Sequence, residues 1–150
     1  MTDETTTPYA AVVGTAVPPF RVPEVNGEHI RQMALILRDP NPIHFNLDAV
    51  QRAGMGSREI NQGGTTMAYI IDMLAAWTGS TTYVSRIKCR FRGNVRAGDD
   101  LVAGGVVVEV RRESLVCELT CDVWVDLQDG TRVIDGTASV RLPAPEPTSP

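Results

Sequence analysis

A change of hydrophobic period near residue 80 constrains this chain more than any other feature. Before it, from about Gly64 to Trp77, the residues Met67, Tyr69, Ile70, Ile71, Met73, Leu74 and Trp77 cover nearly every face of a helix. A helix apolar all round is a buried one. After it the pattern alternates: Tyr83, Ser85, Ile87, Cys89 and Phe91 share one face of an extended segment, and Arg86, Lys88, Arg90 and Arg92 share the other. Leu101 to Val110, Leu115 to Val125 and Thr131 to Leu142 are rich in Val, Leu and Thr, with turn segments at Gly93 to Asp100, Arg111 to Ser114 and Gln128-Asp129-Gly130. Consecutive strands on short connections predict an antiparallel meander. A buried helix beside them predicts an α+β domain, a long central helix wrapped by an antiparallel β-sheet.

The remaining chain is organised around that unit. Phe20, Val22 and Val25 lie in an extended, Pro-punctuated stretch. Ile30, Met33, Ala34 and Leu37 fall at spacings of three and four, which predicts a helix over 27–37. A short helix is expected over 47–53, stopped by Gly54 and Gly56. With 150 residues there is enough chain for one domain and one core, expected over 9–142. Residues 1–8 are polar, and residues 143–150 hold four prolines; both ends are expected to be unpacked and disordered.

Several function classes fit poorly. A formal net charge of −4 argues against nucleic-acid binding. The start, Met1-Thr2-Asp3-Glu4, has acids where a secretory leader has bases, and the apolar run Ala68 to Trp77 is too short for a bilayer and contains Asp72. A cytoplasmic protein without a membrane partner is the expectation. Cys89, Cys117 and Cys121 form no CxxC pair and read as small buried residues, and with two histidines no metal-ligand spacing exists, so no metal is expected.

The chemistry-bearing run is Arg38-Asp39-Pro40-Asn41-Pro42-Ile43-His44-Phe45-Asn46. On a regular helix, five positions would turn Asp39 and His44 about 140° apart. Here Asp39 and Asn41 each precede a proline, which drives both out of the α region. A curled loop can then bring carboxylate and imidazole to one point, with Asn41 bracing it. Imidazole carries or accepts a proton near neutral pH. Asp-Pro and Asn-Pro are also ordinary turn chemistry. The second signal is Asn61-Gln62-Gly63-Gly64-Thr65-Thr66, which opens the apolar helix with free N–H groups and two glycines that let a ligand approach.

The run Asp39-Pro40-Asn41-Pro42-Ile43-His44 resembles the signature of the MaoC-like dehydratases, which include the (R)-specific enoyl-CoA hydratases. The resemblance continues through Ala53-Gly54, Gln62-Gly63 and Arg90-Phe91-Arg92-Gly93-Asn94-Val95-Arg96-Ala97-Gly98-Asp99, and spans about residues 20–142. It implies a single hotdog domain and reversible hydration of trans-2-enoyl thioesters to (R)-3-hydroxyacyl thioesters. By the family pattern Asp39 and His44 hold and activate one water, which attacks C3 while a proton reaches C2 on the same face. The backbone N–H of Gly63 then receives the charge on the thioester oxygen, with Asn41, Gln62 and Gly64 as further substrate-binding candidates. No cofactor is implied, because the substrate brings its own coenzyme A or acyl carrier protein. Three positions depart from the common pattern: Arg38 stands where relatives have glycine, Asn46 where they have an acid, and Gln62 where they often have histidine.

Arg86, Lys88, Arg90 and Arg92 form a cationic strip that either contacts coenzyme A phosphates or is a solvated sheet face. Asp72 supports a different reading, a hotdog acyl-CoA thioesterase in which an acid on the long helix activates water. Hotdog units leave sheet edges open, so a homodimer is expected, with a subunit of a heteromeric acyl dehydratase as the alternative.

Overall fold

The computed structural model describes residues 7–144. The elements in chain order are β1 (Ala16–Val22), α1 (Gly27–Ile36), α2 (Leu47–Arg52), α3 (Gly63–Thr78), β2 (Val84–Phe91), β3 (Leu101–Arg112), β4 (Val116–Leu127) and β5 (Arg132–Pro143). The five strands make one antiparallel sheet in the order β1-β3-β4-β5-β2, and α3 lies against its inner face. This is the hotdog arrangement expected from the change of period.

The core forms where alternation meets helical spacing. Cys117, Leu119, Cys121, Val123 and Val125 of β4 all point inward, as do Ala138, Val140 and Leu142 of β5. Against them α3 presents Ile70, Met73, Leu74 and Trp77. Burying side chains of this size contributes about 1.5–3 kcal/mol each. The helix is not buried all round, however: Asp72 and Ala76 face outward, and Met67, Ala68 and Ile71 are half-covered. Cys117 and Cys121 are small core residues and Cys89 is half-buried beside them; burial pushes the Cys121 thiol up to about 11.

One local expectation is sharpened and another is corrected. The extended stretch around Phe20 is a true strand, β1, paired with β3 through an irregularity between Val17 and Phe20. Pro18 and Pro19 fit there because β1 is an edge strand. The meander holds only for β3-β4-β5; β2 crosses to the far edge and pairs with β5 instead of β3. The connection 92–100 is long enough to make that crossing. Most of the two expected disordered ends, 1–8 and 143–150, lies outside the described residues. Of the described part, Pro8 is buried in a 3-10 turn over Pro8–Ala10, and Pro143 ends β5.

Candidate active site

Between α1 and α2 the chain makes a stop, a kink and a restart, each with an identifiable cause. Helix α1 closes in a Schellman motif: the N–H of Asp39 donates to Ala34 C=O at 2.8 Å, and that of Arg38 donates to Leu35 C=O at 3.2 Å. Asp39 Oδ1 then accepts from the Asn41 N–H at 3.0 Å, and Asn41 Oδ1 accepts from the Ile43 N–H at 3.3 Å. These two Asx turns curl Pro42–His44 into a 3-10 turn. Asn46 restarts the chain by capping α2, its Oδ1 accepting from the Ala49 N–H at 3.1 Å. Asn41 is thus a brace for the loop.

The loop brings the two expected groups together. His44 Nε2 lies 3.2 Å from Asp39 Oδ2. The other ring nitrogen, Nδ1, is 2.6 Å from the Ile60 carbonyl. A carbonyl only accepts, so Nδ1 carries its proton and donates. Both nitrogens therefore face acceptors. The His44 side chain is 7% exposed and that of Asp39 is 34% exposed, so the carboxylate is the open side of the pair. Asp39 borders an open cavity of about 560 Å³ whose walls include Leu35, Pro40 and Phe45, with Arg31 and Arg38 beside them.

The carbonyl that orients His44 is itself held in place. Ile60 N–H donates to Ile43 C=O at 3.0 Å, Asn61 N–H to Val95 C=O at 2.8 Å, and Ala97 N–H to Glu59 C=O at 3.0 Å. The turn Arg96–Asp99 is fixed by Asp99 Oδ2 accepting from the Arg96 N–H at 2.8 Å, and Arg58 reaches both Ala97 C=O and Asp99. This gives the Arg90 to Asp99 segment a local purpose: it is the rail on which Glu59–Asn61 lies. A backbone carbonyl leaves no mark in a sequence, so the role of Ile60 was not legible there.

Three residues beyond Ile60, Gly63 opens α3, which sets an upper limit of about 11 Å on the step from the rail to the helix N-terminus. The first-turn N–H groups of a helix have no intrahelical acceptor, and here no side chain caps them. Gly63 and Gly64 are both exposed. A Cβ on Gly63 would sit 3.2 Å from the ring of Phe91, itself 54% exposed, so glycine keeps a slot open between helix and β2. Phe91 is a wall residue that its place in an alternating strand does not single out.

Other candidates fall elsewhere. Gln62 is 3% exposed; its Nε2 donates to Ile30 C=O at 2.9 Å, which ties α3 to α1, while its Oε1 is buried without a hydrogen-bond partner among the described residues. Arg86, Lys88, Arg90 and Arg92 lie on the outer face of the sheet, away from α3, because β2 alternates and Ile87 and Cys89 take the inner face. Arg92 pairs with Asp135 at 2.8 Å, and Arg86 and Lys88 border a surface hollow shared with Glu109 and Glu118. The strip is not brought to the Asp39–His44 pair. Asp72 sits on the exposed face of α3. Among the described residues no group of three His, Cys, Asp or Glu side chains could hold a metal, and no helix is long and apolar enough to cross a membrane.

Arg38 has φ +52°, in the left-handed region where a side chain costs about 1–2 kcal/mol and glycine costs little. Arg38→Gly is expected to raise stability by about 1 kcal/mol, a Tm gain of about 3 °C in a chain this size. Thermal denaturation followed by circular dichroism checks it, and a lower Tm contradicts the strain.

The MaoC like domain family matches residues 7–123 of this chain. Among curated proteins none matches the sequence. Among solved structures, the unliganded R-hydratase PhaJ1 from Pseudomonas aeruginosa superposes with a TM-score of 0.76 at 22% identity, over 97% of this chain and 94% of that one. The (R)-hydratase from A. caviae involved in PHA biosynthesis gives 0.77 at 19% identity, over 89% and 98%. The ChsH1-ChsH2 complex from Mycobacterium tuberculosis gives 0.74 at 19% identity, over 88% and 98%.

Proposed function

The chain belongs to the MaoC-like domain family, and from that premise we propose that it is a hydro-lyase that adds water reversibly to trans-2-enoyl thioesters, giving (R)-3-hydroxyacyl thioesters. The observation that carries this is the Asp39–His44 pair: two groups at 3.2 Å, one ring nitrogen pinned to a carbonyl, and the carboxylate open to a cavity. Such a pair can take a proton from water and return one to carbon. Water held there attacks C3, and the proton goes to C2 on the same face. The thioester oxygen gains negative charge as this happens. The uncapped first turn of α3, with Gly63 at its start, supplies donors and the positive end of a helix dipole for that charge. The conjugated thioester activates its own double bond, so the reaction asks for no metal or organic cofactor. The substrate brings coenzyme A or an acyl carrier protein as its thiol half.

A homodimer is proposed with this chemistry, and a heteromer is its alternative. The open edge of β2 runs for eight residues without a proline, unlike β1 at the other edge. Sedimentation at micromolar concentration should give a species at twice the 16.3 kDa chain mass; a stable monomer contradicts it.

The test of the activity is a panel of trans-2-enoyl-CoA thioesters of graded chain size, read by loss of the conjugated-thioester absorbance. At least one member should be hydrated with a kcat/KM above about 10⁴ M⁻¹s⁻¹, the ordinary enzymatic range. Thiol release from saturated acyl-CoA, abolished by Asp72→Asn, would favour the thioesterase reading instead.

A further inference from the structure

A non-glycine residue held in the left-handed region is an outlier, and such outliers cluster at functional sites. Arg38 is such a residue, at the C-terminal turn of α1 where glycine would relieve the strain. Among the described residues its guanidinium has no ion pair and no hydrogen bond. The neighbouring Arg31 is different: it is engaged by Glu28 at 2.8 Å and also by Glu59. Among the described residues Arg38 is therefore the cation of that cavity without an ion-pair partner, and the cavity also carries the Asp39 carboxylate, Leu35, Pro40 and Phe45.

We infer, resting on the thioester reading of the same site, that Arg38 is a specificity-determining residue that binds an anionic oxygen group carried by the substrate. A guanidinium presents paired N–H donors that match carboxylate and phosphate oxygens two at a time. A cavity with apolar walls at Leu35, Pro40 and Phe45, a carboxylate at Asp39 and an unpaired guanidinium at Arg38 suits a ligand that is apolar along most of its length and places one anionic group on Arg38. Two sources carry that chemistry. One is a phosphate of the thiol half of the thioester, and the other is a carboxylate on the acyl chain. Arg38 acts in both cases by binding and does not handle the proton, which stays with Asp39 and His44.

The test uses saturated thioesters, which cannot be hydrated, so binding is read by calorimetry whether or not the chain is a hydratase. Butyryl-CoA, butyryl-pantetheine and a pantetheine thioester bearing a terminal carboxylate on its acyl chain are titrated into wild type, Arg38→Gly and Arg38→Lys. Arg38→Gly should bind the anionic ligand about 10- to 100-fold more weakly, the size of a lost charge-assisted hydrogen-bonded contact. Arg38→Lys should recover part of the loss. Loss confined to butyryl-CoA assigns the phosphate, and loss confined to the carboxylated pantetheine assigns the acyl carboxylate. The uncharged butyryl-pantetheine should be unaffected in either case. Equal binding of all three ligands by wild type and Arg38→Gly overturns the inference, while leaving the hydration panel to judge the activity on its own.

Discussion

Asp39→Asn should lower kcat/KM for enoyl-thioester hydration by about 10³- to 10⁴-fold while leaving the fold intact, and His44→Ala should do the same. A positioned acid/base group contributes about 10²–10⁴, and in the proposed reaction both groups act on the same water, so losing either member should lose most of the effect. The two substitutions differ in their structural cost. An asparagine at 39 keeps an oxygen to accept from the Asn41 N–H, so the Asx turn survives and stability should change little. His44 is buried, and its removal leaves the Ile60 carbonyl without its donor. That variant should lose about 1–3 kcal/mol of stability and still fold. Kinetics on the best member of the enoyl panel, with circular dichroism as the control, give the result. Hydration by both folded variants at more than a tenth of the wild-type rate contradicts the assignment.

The second large effect is structural. Gly136 lies in the middle of β5, paired with Cys89 of β2 and Val123 of β4. A Cβ there would fall on the carbonyl oxygen of Lys88 and come within 2.9 Å of the Cys89 Cα. Backbone atoms cannot rotate out of the way as a side-chain end can, so Gly136→Ala must push β2 off β5. We expect a loss of about 3 kcal/mol or more, at the upper end of overpacking costs, with a Tm lower by about 6–12 °C. Activity should fall with it even below the new Tm, because β2 also carries the Phe91 ring that faces Gly63. Chemical denaturation and turnover measured on the same preparation test both halves. A variant within 0.5 kcal/mol of wild type would mean that β2 and β5 are not paired in this register.

These two sites show what could be read from the sequence and what could not. The Asp39–His44 pair was legible because prolines at 40 and 42 forbid the helix that would have separated the two side chains. The α+β class was legible because the period changes from helical to alternating near residue 80. The strand order was not, since β2 reaches the far edge through contacts with β5 that lie more than 40 positions away along the chain. Gly136 is the local trace of that crossing, and a lone glycine in a strand does not say which backbone it admits. The burial of α3 was overestimated because apolar content fixes what a helix can bury, not what one chain has available to cover it. The placement of Gln62 and of the cationic strip of β2 was not legible for a common reason. Both have the right chemistry for a ligand, and only the coordinates say that Gln62 turns toward Ile30 and the strip toward the outer face.

In the proposed reaction the Asp39–His44 pair delivers water to carbon 3 of an enoyl thioester. Incubation of the protein with its best trans-2-enoyl-CoA in H₂¹⁸O, followed by mass spectrometry, tests this most directly. The expected product is a 3-hydroxyacyl-CoA carrying one ¹⁸O at the hydroxyl, formed by wild type and lost in Asp39→Asn. A label found instead in a free carboxylic acid, together with released coenzyme A, would contradict it.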